Sequence, residues 1–132
     1  MSDQERLVER DAVLDAPSRE VWEALTDERL LGDWLAQEAE LDPVPGGRVS
    51  FRFRNGEMRR GTVLEVEEER LLAFSWARPG EPESVVEFSL EPTDGRTRLI
   101  VVERGPALDA IAGPQWVARL HAFAAALALV AA

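Results

Sequence analysis

Three residue types that often carry protein chemistry are absent or nearly absent from this 132-residue chain. It has no cysteine, no lysine and a single histidine, His121. Without cysteine there is no disulfide framework and no thiolate nucleophile, and without lysine there is no Schiff-base chemistry. One histidine without cysteine cannot supply a zinc-type ligand set, and no Gly-x-Ser-x-Gly elbow is present for a serine nucleophile. We therefore expect no metal site, no cofactor and no catalytic residue.

The chain also lacks long apolar runs and an excess of positive charge. No run reaches the roughly 20 apolar residues needed to span a bilayer, and the first residues, MSDQERLVERD, are charged. The formal net charge is −10, which repels phosphate backbones and anionic lipid headgroups. Neither nucleic acid nor a membrane is an expected partner. The length predicts one domain over residues 1–132, and we expect it to be cytoplasmic.

Helical patterns lie on either side of a central region. A strand over Leu7 to Leu14 is followed by Pro17, whose fixed φ suits the first position of a helix. Thr26 and Asp27 are typical caps for a second short helix. Near the C-terminus, apolar residues recur on one helical stripe, which predicts a long amphipathic helix; they are Trp116, Leu120, Phe123, Leu127 and Val130.

The central region alternates between apolar and polar residues with a period of two, as strands do. The Asn55-Gly56 pair predicts a tight hairpin, and Asp94-Gly95 predicts another turn. One face of these strands is apolar and the other charged, which is typical of an antiparallel sheet with one solvated side. The predicted element order is β-α-α-β-β-β-β-β-β-α.

Short motifs in this order resemble a known family. They are Ala16-Pro17-x-x-x-Val21-Trp22, Ala24-Leu25-Thr26-Asp27, Leu31-x-x-Trp34, Gly46-Gly47, Gly61-Thr62-Val63, Leu72-Ala73-Phe74-Ser75-Trp76, Val86-x-Phe88-x-Leu90, Thr97-x-Leu99 and Glu103-x-Gly105. Together they resemble the SRPBCC or START-like superfamily, and within it the bacterial homologues of the heat-shock-chaperone ATPase activator (AHSA family). The resemblance implies an α+β helix-grip fold. In that fold a curved antiparallel sheet of about seven strands surrounds a long C-terminal helix, two short helices follow strand one, and a cavity lies inside.

Polar residues on the inward phase of strands are the candidate ligand-binding residues. Counting by two from the apolar positions of each strand places five of them inside: Arg10, Arg60, Thr62, Ser84 and Glu103. A charge in a dry core costs several kcal/mol unless it is paired. We therefore predict that Glu103 pairs with Arg10 or Arg60. These residues either anchor a ligand or form a structural ion pair, and a register slip would place them outside.

Aromatic residues complete the candidate site. The resemblance implies that Trp76 and Trp116 lie on opposite walls of the cavity, where each either packs in the core or contacts a ligand together with Leu120. Small alanines on the last helix favour a close approach to the sheet and a narrow cavity.

Three functions stay open at this point, because the superfamily's fold does not determine activity. The first is a binding protein for an apolar or aromatic small molecule, held between the sheet and the last helix. The second is a chaperone-regulator-like protein-interaction module, although the separate N-terminal domain of the true activators is not recognisable here. The third is an enzyme like the polyketide cyclases and aromatases. A protein partner stays open, and so does the oligomeric state, with a dimer as one alternative.

Overall fold

The computed structural model describes residues 5–106 and 108–131, with the side chains of 129–131 excepted. The elements follow in the order β1 (Arg6–Leu14), α1 (Ser18–Thr26), α2 (Glu28–Trp34), β2 (Glu38–Leu41), β3 (Arg48–Arg52), β4 (Met58–Glu67), β5 (Leu71–Trp76), β6 (Ser84–Thr93), β7 (Arg96–Gly105) and α3 (Ala112–Ala131). This order is the predicted one. The patterns had assigned no residues to β2, which is only four residues long.

The seven strands form one curved antiparallel sheet in the order β1-β7-β6-β5-β4-β3-β2. The chain therefore has the predicted α+β helix-grip fold, with the sheet wrapped around α3. Apart from the β1–β7 pairing, every strand pairs with its neighbour in sequence, because short turns join them. Asp94 and Gly95 both have positive φ values, 49° and 79°, as a two-residue turn requires, whereas at the predicted two-residue turn Asn55-Gly56 only Gly56 does, at 88°. Phe53 N donates to Glu57 O there, so this hairpin loop has three residues, 54–56.

The two short helices begin within one residue of the positions that their capping residues predict. Pro17, which was predicted at the first position of α1, is instead the N-cap of that helix, and its carbonyl accepts a hydrogen bond from Val21 N. Asp27 ends α1 and caps α2, since its side chain accepts a hydrogen bond from Arg29 N at 2.9 Å. Trp34 then ties α2 to α1 through a buried 3.0 Å hydrogen bond from its Nε1 to Ala24 O.

The predicted stripe of α3 is buried against the concave face of the sheet. Trp116 and Phe123 are fully buried, and Leu120 and Leu127 nearly so. The side chain of Val130, the last predicted member of this stripe, lies outside the described residues. Within the described part of the chain, no helix is long and apolar enough to cross a membrane.

Most of the space between α3 and the sheet is filled by aromatic rings in mutual contact. Trp34 and Phe123 lie 4.4 Å apart between ring centroids, and Phe88 contacts Trp116 edge-on at 5.7 Å. The remaining members of this aromatic core are Phe51, Phe74 and Trp76. Edge-to-face and tilted ring pairs of this kind stabilise a core beyond the area they bury.

Candidate functional site

A single buried carboxylate joins α3 to the sheet at the N-terminal end of that helix. Glu103, near the end of β7, is only 1% exposed. Its Oε1 accepts from Trp116 Nε1 at 2.8 Å, and its Oε2 accepts from Trp76 Nε1 at 2.7 Å and Ser84 Oγ at 2.5 Å. Arg59 Nη1 lies 4.0 Å from the same Oε2. We call these five residues the Glu103 cluster.

The geometry of the sheet places these side chains together. Trp76 on β5 is paired with Ser84 on β6, and Gly105 on β7 lies so close to Ser84 that a Cβ there would meet the serine side chain at 2.8 Å. Gly61 on β4 approaches the backbone of Ser75 and Trp76 more closely than any residue with a Cβ could. Glycine at positions 61 and 105 thus lets four strands, β4 to β7, converge around the carboxylate.

The hydrogen-bonding capacity of Glu103 is largely used within the protein. A carboxylate offers about four acceptor positions, and three are occupied by the two indoles and the serine. Since an indole N–H can only donate, both oxygens act as acceptors in this arrangement. A buried, satisfied carboxylate fixes the relative position of the groups that bind it. Glu103 therefore holds Trp76 and Trp116 against each other.

Arg59 connects the Glu103 cluster to a second set of charges. Its Nε donates to Glu57 Oε2 at 2.8 Å, while Arg78 Nε donates to Glu57 Oε1 at 3.0 Å. Burial raises the pKa of Glu57, but the hydrogen bonds and charges of Arg78 and Arg59 outweigh it, so the pKa lies below its usual value. The Arg59 guanidinium also lies 4.6 Å above the Trp76 ring.

Glu103 points inward, as predicted, but the prediction that it pairs with Arg10 or Arg60 is wrong. Arg60 and Thr62 are exposed, and Arg59 takes the inward position instead. The cause is Leu64, an apolar residue that is 49% exposed and shares the outward face with Thr62 and Arg60. Arg59 and Val63 occupy the inward face of this part of β4, and a β-bulge between Val63 and Glu65 interrupts the alternation beyond it.

Arg10 is exposed and does not pair with Glu103. Its Nη1 donates to Glu9 O at 2.7 Å, and its guanidinium lies against Gly113 in the first turn of α3. A Cβ at position 113 would collide with it. Ser84 and Leu120 are buried, as are Trp76 and Trp116. The structure thus brings Ser84, both tryptophans and Glu103 together, and leaves Arg10, Arg60 and Thr62 outside; ligand contact by any of these residues stays a prediction.

Sequence reasoning missed a second cation beside the tryptophans. The guanidinium of Arg119, on α3, lies 4.7 Å from the Trp116 ring centroid, 5.3 Å from that of Phe53 and 5.6 Å from that of Trp76. Burial, with the positive charge of Arg59, lowers the pKa of Arg119 to about 10 although Glu103 and Glu57 oppose the shift. The guanidinium stays protonated at neutral pH.

Two openings border this ring-and-arginine arrangement. The smaller, the Glu103 cavity, has a volume of about 40 Å³ and is bordered by Arg59, Trp76, Glu103 and Gln115. A water needs about 10–15 Å³ of such space, so this cavity has room for a few waters only. The larger, the α2–α3 groove, has a volume of about 470 Å³ and is lined by residues 32–37, Phe53, Arg54, Asn55 and Ala122.

One half-buried stripe of α3 connects the two openings. It consists of Gln115, Arg119, Ala122 and Ala126, which follow one another at helical spacing beside the fully buried stripe. Gln115 borders the Glu103 cavity and Ala122 the α2–α3 groove. Arg119 lies between them and is the charged member of the stripe. This spacing, one position before Leu120, is the sequence signal that could have identified it.

Comparisons with known proteins follow this geometry. A family model described as Activator of Hsp90 ATPase homolog 1-like protein matches residues 15–127. A search of curated proteins gives no significant match. Among solved structures, protein MLL2253 from Mesorhizobium loti is similar, with 25% identity, a TM-score of 0.85, and coverage of 93% of this chain and 97% of that one.

Two further solved structures are similar over most of this chain. DynU16, from the dynemicin biosynthetic locus, is 26% identical with a TM-score of 0.82, over 97% of this chain and 48% of that one. This chain therefore spans about half the length of DynU16. The Aha1 dimer from Colwellia psychrerythraea is 18% identical with a TM-score of 0.78, over 92% of this chain and 96% of that one. That similarity extends to the fold alone.

Proposed function

Because the chain belongs to the family of activator of Hsp90 ATPase homolog 1-like proteins, we propose that it binds a small molecule with an apolar or aromatic body. The observation that carries the proposal is the α2–α3 groove. Its volume of about 470 Å³ falls within the range of about 300–1,000 Å³ usual for ligand sites. The binding site is then at the edge of the space between sheet and helix, since the interior of that space is filled.

The lining of the groove suits an aromatic or aliphatic body. Trp34, Leu35 and Ala36 contribute buried apolar surface, and half-buried Phe53 and Ala122 form the opposite side. Polar groups at the rim, from Asp33, Arg54 and Asn55, are able to orient a bound molecule. Mostly apolar walls with a few polar groups are typical of small-molecule sites.

The rings beside the groove form a rigid continuation of it. Phe53 contacts Trp76 at 6.0 Å, and Trp76 stacks on Trp116 with 21° between their planes. Since Glu103 fixes both indoles, binding needs little reordering of these rings, and a preorganised surface costs less on association. Phe53 is therefore the ring of this set that a ligand in the groove would contact, since Trp76 and Trp116 are fully buried.

The relatives' names agree with this class of function without determining the ligand. DynU16 is a putative protein in the dynemicin biosynthetic locus, and its 26% identity to this chain supports the proposal of a small-molecule ligand here. A cytoplasmic location stays a prediction.

A pair of matched variants on α3 tests the groove. Ala122→Phe fills the groove from its helical wall, while Ala125→Phe adds the same ring at an exposed position of the same helix. The protein purified from its host is examined by native mass spectrometry for a bound small molecule. It is also titrated calorimetrically with 2-naphthoate and naphthalene-2-carboxamide. We expect saturable binding of at least one compound, lost in Ala122→Phe and retained in Ala125→Phe.

Two outcomes would contradict the proposal. No co-purified mass and no saturable heat with either compound would reject ligand binding of this class. Equal binding by Ala122→Phe and Ala125→Phe would place the ligand outside the groove.

A second candidate is a protein-interaction module, favoured by the edge strand β1. Leu7 and Val13 on this strand are 62% and 53% exposed, and within the described residues β1 pairs only with β7. An unpaired edge with exposed aliphatic residues is a common template for association, and one structural neighbour is a dimer. Sedimentation of the wild type against Leu7→Ser/Val13→Ser tests it, since self-association through β1 should weaken in the variant.

A further inference from the structure

We propose that the ligand carries a carboxylate, or an oxyanion of the same charge, and that Arg119 is the residue that binds it. This inference rests on the proposed ligand binding and specifies the chemical class of the ligand. On one face of α3, Arg119 lies between Gln115, which lines the Glu103 cavity, and Ala122, which lines the α2–α3 groove, so an anionic group at one end of a molecule in the groove would lie within one helical turn of its guanidinium.

The arginines around the Glu103 cluster are unequally paired with carboxylates. Arg59 has Glu57 at 2.8 Å and Glu103 at 4.0 Å, and Arg78 has Glu57 at 3.0 Å. Among the described residues, no carboxylate oxygen lies within 4 Å of the Arg119 guanidinium. Of the three guanidinium groups near the Glu103 cluster, Arg59 and Arg78 form ion pairs and Arg119 forms none among the described residues. The charge of Arg119 is therefore available to a ligand.

Three aromatic rings hold the guanidinium of Arg119 in place. Three ring centroids, those of Phe53, Trp76 and Trp116, lie within 4.7 to 5.6 Å of its central carbon. Rings attract a guanidinium through their faces but offer no acceptor to its N–H groups. A guanidinium has five donors in one plane, a geometry that matches a carboxylate bidentately. The rings thus position the fork and leave its donors to another group.

The free N–H groups of Arg119 are accessible to solvent. No buried polar side-chain atom of the described residues lacks a hydrogen-bond partner, so the Arg119 nitrogens that make no bond in the protein still reach solvent. Its neighbours on the helix, Gln115 and Ala122, line the two openings. An incoming carboxylate therefore replaces water at these nitrogens without having to displace a protein carboxylate.

The charges next to Arg119 favour an anion there, although the net charge of the whole chain does not. The whole chain carries a formal charge of −10, so it repels anions at long range. After burial itself, the charged group with the largest effect on the pKa of Arg119 is a second cation, Arg59, which lowers it. A ligand carboxylate would relieve this like-charge contact. Local attraction and partial burial then outweigh the long-range repulsion, which salt screens.

The test compares two probes that differ in charge but hardly in shape, 2-naphthoate and naphthalene-2-carboxamide. Calorimetric titrations use the wild type, Arg119→Gln and Arg119→Lys. Arg54→Gln tests the alternative anchor, because Arg54 is an exposed arginine that lines the groove. Arg52→Gln, at an exposed position of β3 outside the groove lining, is the matched control that should leave binding of both probes unchanged. We expect the wild type to prefer the carboxylate by about tenfold or more, which corresponds to about 1.4 kcal/mol.

The variants should separate charge from shape. Arg119→Gln should bind both probes alike, with its affinity for the carboxamide close to that of the wild type, which also shows that the groove is intact. Arg119→Lys should retain part of the preference, because it keeps the charge and loses the planar fork. Arg54→Gln should retain the full preference.

The other outcomes are informative in different ways. Equal binding of both probes by the wild type would overturn the inference and leave the proposed function standing. Loss of the preference in Arg54→Gln but not in Arg119→Gln would overturn the assignment of the anchor. Binding of neither probe by the wild type would overturn the proposed function and this inference together.

Discussion

The indole rings of Trp76 on β5 and Trp116 on α3 lie nearly parallel, with centroids 6.0 Å apart and 21° between their planes. Their N–H groups point to the two oxygens of the same carboxylate, Glu103, at 2.7 and 2.8 Å. This arrangement connects the sheet to the N-terminal part of α3 through polar bonds at a position where apolar contacts alone would allow sliding. Polar groups buried in this way contribute to the uniqueness of a packing arrangement.

Replacing the carboxylate by an amide should destabilise the protein. In Glu103→Gln, the amide NH₂ group faces donors from Trp116, or from Trp76 and Ser84, so at least one buried donor loses its acceptor. Leaving a buried polar group without a partner costs about 1–3 kcal/mol. Urea unfolding measures the change. Glu91→Gln on the outer face is the control, since an exposed ion pair contributes at most about 1 kcal/mol.

A double-mutant cycle isolates the link between helix and sheet. Trp116→Phe keeps an aromatic ring but removes the donor to Glu103 Oε1. If the two groups act as one unit, the effects of Trp116→Phe and Glu103→Gln on the free energy of unfolding will be non-additive by about 0.5–3 kcal/mol. Additive effects would show that Glu103 contributes to stability independently of α3.

The fold was largely predictable because its elements carry their own local patterns. The cap at Asp27, the turn at Asp94-Gly95 and the apolar stripe that begins at Trp116 each appear in the structure as predicted. Such patterns determine an element through contacts within a few residues. Strand β2 was not located, because four residues on an edge strand of the sheet contain too little alternation to distinguish them from a loop.

The site was predictable only in part, because an apolar residue of a strand is not always buried and because contacts between a helix and a sheet depend on how they pack. The phase of β7 gave the inward direction of Glu103, because its pairing with β6 runs without interruption. On β4 the count began at Leu64, an apolar residue that lies exposed beside a bulge, so Arg60 was predicted in place of Arg59. Arg119 was missed for another reason: its helical spacing places it beside the buried stripe of α3, but its contact with Phe53 depends on how α3 packs on the sheet, which the spacing does not contain.

The buried stripe of α3 should carry much of the stability of the fold. Leu120 is 3% exposed and Phe123 fully buried. Leu120→Ala and Phe123→Ala should therefore lower the free energy of unfolding by about 2–5 kcal/mol each, through lost transfer energy and the cavity left behind. Val117→Ala on the exposed side is the control and should cost about 0.5 kcal/mol or less. Urea melts in which all three variants lose the same amount would mean that α3 docks through a different face.

Gly61 should resist substitution because of the close approach of two strands. A Cβ at this position would meet the carbonyl of Ser75 and the Cα of Trp76, which are backbone atoms and cannot rotate away. Gly61→Ala should cost about 1–3 kcal/mol, as overpacking in a core does. In Gly32→Ala, by contrast, the nearest atom would be 3.9 Å away, so this helical position should gain about 0.5–1 kcal/mol. Thermal melts of both variants give the comparison, and a neutral Gly61→Ala would show that β4 and β5 separate easily.

The contribution of Glu57 to stability should depend on pH in one direction. Arg59 and Arg78 hold the folded-state pKa of Glu57 below its ordinary value of 4.5, against the effect of burial. A carboxyl with a lowered folded-state pKa stabilises the protein fully above its unfolded pKa. This stabilisation is lost as the pH falls through the folded pKa, where the carboxyl becomes protonated in both states.

Glu57→Gln should therefore lower the free energy of unfolding at pH 7, and its difference from the wild type should shrink as the pH falls below about 4.5. Urea melts at a series of pH values from 7 to about 3 measure this difference, because two-state fits give the free energy of unfolding at each pH. Glu65→Gln, at an exposed position on β4, the strand that follows Glu57, serves as the control and should follow the wild-type profile. A difference between Glu57→Gln and the wild type that stays constant over the whole range would mean that Arg59 stabilises the fold through packing on Phe53 and Trp76, and not through its charge on Glu57.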